Sequence, residues 1–490
     1  MSILGGAAGA AIDGRMLIGR NWSASESQDV IEVVNPADLS LVGTVPNATP
    51  KDAEQAVAAA YAAQAGWAGR LAGERARLLR GWADLVRANR VELARLLTTE
   101  QGKPLAESLG EADVTADFID WFAEEGRRAY GQVIPEFAAG KQLVVTREPV
   151  GVAVAITPWN FPLSMVARKI APAIAAGCAT VLKPSEDAPF TSLALAELAH
   201  EAGIPDGVVN VITCSRENAV ETVKALLADT RVRKLSFTGS TVVGKILLAL
   251  AAGTVKRVSM ELGGNAPFVV FDDADLDKAL AGFMAAKFRN AGQVCIAPNR
   301  LLVQDAVHDS FVDQLAERVK ALNVGPGLEE GTQIGPLINR RGMEKALGLV
   351  RDAVRDGAEL VTGGEVHARG GSFLQPTILT GVNSQMRIFR EEAFGPVVPV
   401  VRFSGEDEAI ALANDTDAGL AAYFYSRDVN RVWRVSKAIE SGMIGVNDGV
   451  ISTPVAPFGG VKESGLGREG GQSGIMEYLE EKYLCMGIDK

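Results

Sequence analysis

Hydrophobic and polar positions change rhythm partway along this chain of 490 residues. Over the first 130 residues apolar positions recur at helical spacing. The stretch "TPKDAEQAVAAAYAAQAGW" offers Thr49 as an N-cap, Pro50 at the first helical position and Asp52 in the first turn. Two more long helices are expected in "GERARLLRGWADLVRANRVELARLLTTE", after which Gly102 and Pro104 punctuate the chain. From 150 onward, short apolar runs ("VGVAVAIT", "ATVLK", "VVNVI", "VRKLSF", "KRVSMEL") alternate with helical patterns. This α/β alternation predicts a mostly parallel sheet covered by helices, with ligand sites in loops at the carboxyl ends of strands. A second α/β series runs from "PFVVF" at 267 through "RLLVQ" and "GAELVTGG" to "MIGVN" at 443, so two domains are expected to meet near 262. The glycine cluster "FGGVKESGLGREGGQSG" at 458–474 reads as a long ordered loop or a domain crossover, and "IMEYLEEKYLCMGI" as a strand or helix packed on a neighbour.

Composition narrows the function classes. Hydrophobic residues make up 47% and charged residues 22%, the balance of a soluble globular protein. A formal net charge of −11 and the lack of any Lys/Arg block argue against nucleic acid as a partner. The four cysteines, Cys178, Cys214, Cys295 and Cys485, are scattered without C-x-x-C pairs or nearby histidines. Neither a metal site nor a disulfide framework is expected, and a reducing cytoplasm fits best. The N-terminus "MSILGGAAGAAIDGR" has no basic leader region, and the longest apolar-looking stretch, "IAPAIAAGCATVL", is shorter than the ~18 residues of a membrane span. Neither export nor a membrane is expected.

Each strand of the first series ends in an unusual sequence. "ITPWNFP" at 156–162 sets Asn160 in a turn bounded by prolines, where an amide can be aimed. "LKPSE" at 182–186 puts Lys183 three residues before Glu186, as a ligand contact or a surface ion pair. "FTGSTVVG" at 237–244 places Gly239 and Ser240 at a helix start, either a simple turn or a phosphate cradle. "MELGGN" at 260–265 ends a strand on Glu261, and "FRNAGQVCIAPNR" places Cys295 in a small, polar, basic loop. A lone cysteine is more often a small buried hydrophobe than a nucleophile.

Taken together, "PWNFP", "FTGST", "ELGGN", "NAGQVC" and "EEAFGP", in this order, resemble the aldehyde dehydrogenases, and the resemblance spans nearly the whole chain. "RKLSFTGST", "FRNAGQVC", "LAAYFYSRD" and "SGLGREG" are most similar to the succinate-semialdehyde dehydrogenase group. The resemblance implies a Rossmann-like cofactor-binding domain from 1–130 and 150–261, an α/β catalytic domain from 262–470, and an oligomerisation element from 131–149 and 471–490. It also implies a homodimer or a dimer of dimers.

A thiolate attacks an aldehyde carbon readily, which makes Cys295 the candidate nucleophile. Asn160 and the Cys295 backbone N–H match the family's oxyanion donors, and Glu261 its base for thioester hydrolysis. The resemblance places Thr157, Trp159 and Asn160 at the cofactor cleft, and Lys183, Pro184, Ser185 and Glu186 at the adenosine ribose. It places Gly239 and Ser240 at the pyrophosphate, Leu262 at the nicotinamide end, and Glu392 and Phe394 at the nicotinamide ribose. A carboxylate at Glu186 favours NAD by repelling a 2′-phosphate, whereas Lys183 beside it leaves NADP open.

Arg168, Arg289 and Ser452 match the positions that grip the substrate carboxylate, with Thr453 as an alternative to Ser452. Ala297 stands where many relatives carry a second cysteine, so no disulfide switch is expected there. Pro298 in the same loop leaves glutarate and 2-oxoglutarate semialdehydes open beside succinate semialdehyde. A CoA-acylating enzyme has no need of a hydrolytic base at Glu261. A cysteine hydrolase would want a histidine partner, and His200, His308 and His367 all lie outside the motifs. A noncatalytic binding protein is disfavoured because every catalytic group is present.

Overall fold

The computed structural model describes residues 12–488, so the reading of the first eleven residues as lacking a leader lies outside the described residues. The expectation of a helical first 130 residues needs correction at its start. Residues 12–46 form short strands, among them Val30–Val34 and Leu41–Pro46, which pair antiparallel with Glu32 opposite Thr44. "VIEVV" is β-branched and built for a half-buried pleated surface, but so short a run carries little periodicity. The helices then follow as Pro50–Ala68, Ala72–Ala88, Arg90–Gln101 and Leu105–Glu125. Thr49 and Asp52 close a reciprocal capping box with Pro50 at the first turn.

The first large sheet has eight strands. Its parallel centre runs, in spatial order, Arg257–Glu261, Val232–Thr238, Val152–Ile156, Thr180–Lys183, Val209–Val211. The chain starts at Val152–Ile156 and builds outward one way, then crosses to build the other, so a topological switch point lies beside Val152–Ile156 and Val232–Thr238. Register aligns the carboxyl ends: Ile156 pairs with Lys183 and Phe237, and Thr238 with Glu261. Val152–Ile156, short and buried on both faces, is uniformly apolar, which is why it stood out in sequence. The helix Ser164–Ala176 beneath them is buried along its whole length.

The second large sheet has seven strands, with Val397–Phe403, Pro298–Gln304, Ala266–Val270, Ala421–Tyr425 and Met443–Val446 parallel to one another. Its core stacks Phe268 between Tyr423 and Tyr425, with centroids 5.8 and 5.2 Å apart. The glycine cluster is a crossover: Gly465–Leu466 returns to the edge of the first sheet, Leu466 opposite Met260. The C-terminal segment is both helix and strand, Gly471–Met476 and then Leu479–Gly487, the latter pairing along Lys141–Pro149 in a separate, exposed three-stranded sheet. Among the described residues no helix is long and apolar enough to cross a membrane, and no cluster of side chains is arranged to hold a metal ion.

Candidate active site

Two cavities meet at Cys295. The first, 520 Å³, is a cleft between the carboxyl ends of the first sheet (Trp159, Asn160, Gly239, Leu262) and the second unit (Glu392, Phe394). The second, 260 Å³, is lined by Arg168, Arg289, Ser452, Phe161, Phe458 and Glu107, among others. On the second sheet the chemistry sits at the amino edge, which the carboxyl-end expectation did not foresee. Cys295 comes just ahead of Pro298–Gln304, and Glu392 and Phe394 just ahead of Val397–Phe403.

The loop that carries Cys295 is shaped by unusual backbone. After the helix Leu276–Phe288, Asn290 and Ala291 take φ of 50° and 53°, a left-handed conformation costly for residues with a Cβ. Hydrogen bonds hold the turn: Asn290 N–H donates to Glu107 Oε2 (2.7 Å), Asn290 Nδ2 to the Asn160 carbonyl (3.0 Å), and Gln101 Nε2 to Asn290 Oδ1 (2.9 Å). Gly264 lets the loop approach the first unit, since a Cβ there would collide with the Cys295 carbonyl. Burial pushes the Cys295 thiol up to about 12; Arg168 and Arg289 pull it down, while Glu392 and Glu261 push it further up.

Asn160 is buried and gives one of its two amide hydrogens to the Gln293 carbonyl at 3.1 Å. The second N–H remains for the cleft it lines with Cys295. Glu261, at the end of Arg257–Glu261, is buried but lines neither cavity. Its Oε1 lies so near Gly459 that a Cβ there would come within 2.8 Å, and its Oε2 has no hydrogen-bond partner among the described residues. Burial and then Glu469 raise the Glu261 carboxyl well above the usual range, against Arg168 and Lys169. Glu469 itself is lowered: burial opposes its charge, but Lys169, with which it is ion-paired, and Arg168 outweigh that.

Both predicted arginines face the smaller cavity. Arg168 is 4% exposed, sits 3.8 Å over the Phe458 ring and brings its Nε to 3.3 Å from Glu469 Oε2; its Nη2 has no hydrogen-bond partner among the described residues. Arg289 lies 5.1 Å over Phe161 and has no ion-pair partner among the described residues. Ser452 lines this cavity and Thr453 does not.

The expected cofactor residues fall in three places. Trp159, Asn160, Gly239, Ser240, Leu262, Glu392 and Phe394 line the cleft, with Trp159 edge-on to Phe394 at 5.6 Å. Lys183, Pro184, Ser185 and Glu186 continue outside it from the neighbouring strand end, Lys183 pairing with Glu186 at 3.4 Å. Thr157 is buried, its N–H bonded to the Lys183 carbonyl. Burial raises Glu392 to about 7 against the pull of Lys345 and Lys287, and burial lowers Lys287 to about 7.

Sequence reasoning missed Lys103, Glu107, Glu111, Gln293 and Glu469. The signal for two of them was present: Glu107 and Glu111 are four apart on the helix Leu105–Glu125, so they share a face.

The sequence matches the aldehyde dehydrogenase family over residues 22–484. It is 52% identical to the NADP(+) succinate-semialdehyde dehydrogenase GabD of Escherichia coli strain K12, covering 96% of this chain and 97% of that one. It is also 52% identical to a 3-sulfolactaldehyde dehydrogenase of Pseudomonas putida, over 95% of each. The crystal structure of succinate-semialdehyde dehydrogenase from Burkholderia pseudomallei superposes with a TM-score of 0.96 at 52% identity, covering 97% of this chain and 98% of that one. A family match of this extent, with relatives about half identical over nearly the whole chain, means that the chain belongs to the aldehyde dehydrogenase family.

Proposed function

We propose that this enzyme oxidises a small aldehyde bearing a distant carboxylate, with succinate semialdehyde the best candidate, using NAD and accepting NADP. The observation that carries this reading is the cavity opening on Cys295, which holds two guanidinium groups and the Ser452 hydroxyl, with an Arg168 nitrogen left without a partner among the described residues. A buried cation left without a full set of partners is costly, and an anionic substrate group supplies what is missing.

The cleft fits a dinucleotide. It lies at the switch point, Ser240 caps the helix Thr241–Ala252 whose first N–H groups favour phosphate, and the buried Thr157 and Thr238 hydroxyls lack partners among the described residues. Gly239 and Ser240 would hold the pyrophosphate, Lys183, Pro184, Ser185 and Glu186 the adenosine ribose, and Glu392 and Phe394 the nicotinamide ribose. When bound, the nicotinamide supplies a hydride acceptor. The Lys183–Glu186 pair blunts the carboxylate's repulsion of a 2′-phosphate, consistent with an NADP(+) relative of high identity.

Once the Cys295 thiol has given its proton to solvent water, the sulfur forms a bond to the aldehyde carbon, and the carbonyl oxygen, now anionic, takes the free N–H of Asn160. Oxidation leaves that carbon as a thioester on Cys295. Glu261, unpinned at Oε2, turns toward the thioester and takes a proton from the attacking water; the carbon–sulfur bond breaks and the carboxylate product leaves. The sulfolactaldehyde relative adds a second reading, since guanidinium groups pair with a sulfonate as with a carboxylate.

Steady-state rates on succinate, glutarate and sulfonated semialdehydes and on uncharged aldehydes, with each cofactor, test this. Anionic substrates should win by a wide margin, and equal rates would refute the reading.

The division at 262 into cofactor-binding and catalytic domains is supported by the two separate sheets. The exposed three-stranded sheet, with Val133 and Tyr483 81% and 56% exposed, supports a homodimer or homotetramer, which light scattering tests. Unpaired cysteines support a cytoplasmic location.

A further inference from the structure

We propose that Lys103 is a positioning residue for Asn160, fixing the oxyanion donor through the Asn160 main-chain carbonyl. The inference rests on the role given to Asn160 above. Lys103 is 1% exposed, deep behind the cleft and outside both cavities. Its ammonium has three directions to satisfy, and all are taken: Nζ donates to Glu111 Oε2 at 2.6 Å and to the Asn160 carbonyl at 2.6 Å, and lies 3.9 Å over the Phe161 ring. A cation held on three sides has one geometry.

Its counter-ion extends the clamp. Glu111 Oε1 accepts from the N–H groups of Leu163 and Ser164, at 3.0 and 3.1 Å, at the opening of the helix Ser164–Ala176. That helix has no side-chain cap of its own, so Glu111 satisfies amides that would otherwise be orphaned. One ion pair thus holds "PWNFP" at its middle, by the carbonyl of residue 160, and just after it, by the amides of 163 and 164. On its other side the same Asn160 carbonyl accepts from Asn290 Nδ2, and the Asn160 side chain donates to the Gln293 carbonyl, both in the nucleophile loop. The remaining Asn160 N–H therefore points where this frame sets it.

A buried ion pair is a poor device for stability alone, because desolvation offsets most of its attraction. What it does supply here is placement. Lys103 itself lines neither cavity, while Glu111 and Phe161, which it also contacts, line the smaller one, so the route through Asn160 is isolated by coupling the two residues in one cycle.

The test is a double-mutant cycle on single-turnover reduction of NAD with succinate semialdehyde. Lys103→Met should slow this step by about 10²-fold, the scale of a misplaced catalytic group, with the KM for cofactor unchanged. Asn160→Ala should slow it by about 10²–10³-fold. Combined, they should be little worse than Asn160→Ala alone, because the lysine then has no donor to place. Lys103→Arg should recover part of the rate. Losses that multiply would overturn the inference. Running the cycle with Lys103→Met/Glu111→Gln, which leaves no unpaired buried charge, keeps it decidable if the single variant fails to fold. A wild-type protein without dehydrogenase activity would refute instead the reading beneath it.

Discussion

The carbonyl of Cys295 occupies the space that a Cβ on residue 264 would need, so the Cys295 loop rests directly on Gly264. "ELGGN" thus carries Glu261 and also supports the Cys295 loop. Gly264→Ala must move either the strand end or the loop. We expect kcat/KM to fall by about 10²-fold, with cofactor binding retained, as measured by steady-state kinetics and fluorescence titration. Unchanged kinetics would show that the loop relaxes freely.

Arg289 has no ion-pair partner among the described residues and faces the smaller cavity. Arg289→Ala should remove the preference for anionic aldehydes, losing about 2–5 kcal/mol of discrimination, while uncharged aldehydes are spared. Equal loss on both classes, in parallel kcat/KM series, would make the arginine structural.

The Cys295 thiol, pushed up to about 12 by burial, is protonated near neutrality in the free enzyme. Below that value the thiolate fraction rises about tenfold per pH unit, so alkylation of Cys295 by iodoacetamide should accelerate steadily from neutral to alkaline pH. Arg168 pulls the thiol down, so Arg168→Gln should slow alkylation several-fold at a fixed pH. Glu392 pushes it up, so Glu392→Gln should speed it. A pH-independent rate would contradict this electrostatic picture.

What could be read from the sequence was what the chain encodes locally. The apolar run Val152–Ile156 of the first sheet, the Thr49 cap and the Cys295 loop each declare themselves within a few residues. Strands such as Val30–Val34 are too short for a period, and their partners form only on folding. Lys103 and Asn160 stand 57 positions apart, and "GKP" reads as punctuation until the fold brings that lysine beneath "PWNFP". The amino-edge placement of Cys295 also depends on how the second sheet docks against the first.

In the proposed cycle a covalent acyl group forms on Cys295 and Glu261 releases it. The most direct measurement is mass spectrometry of Glu261→Gln protein quenched after mixing with succinate semialdehyde and NAD. One equivalent of reduced cofactor is expected, then a stall, with a succinyl-sized increment on the peptide carrying Cys295. Sustained turnover with that peptide unmodified would contradict it.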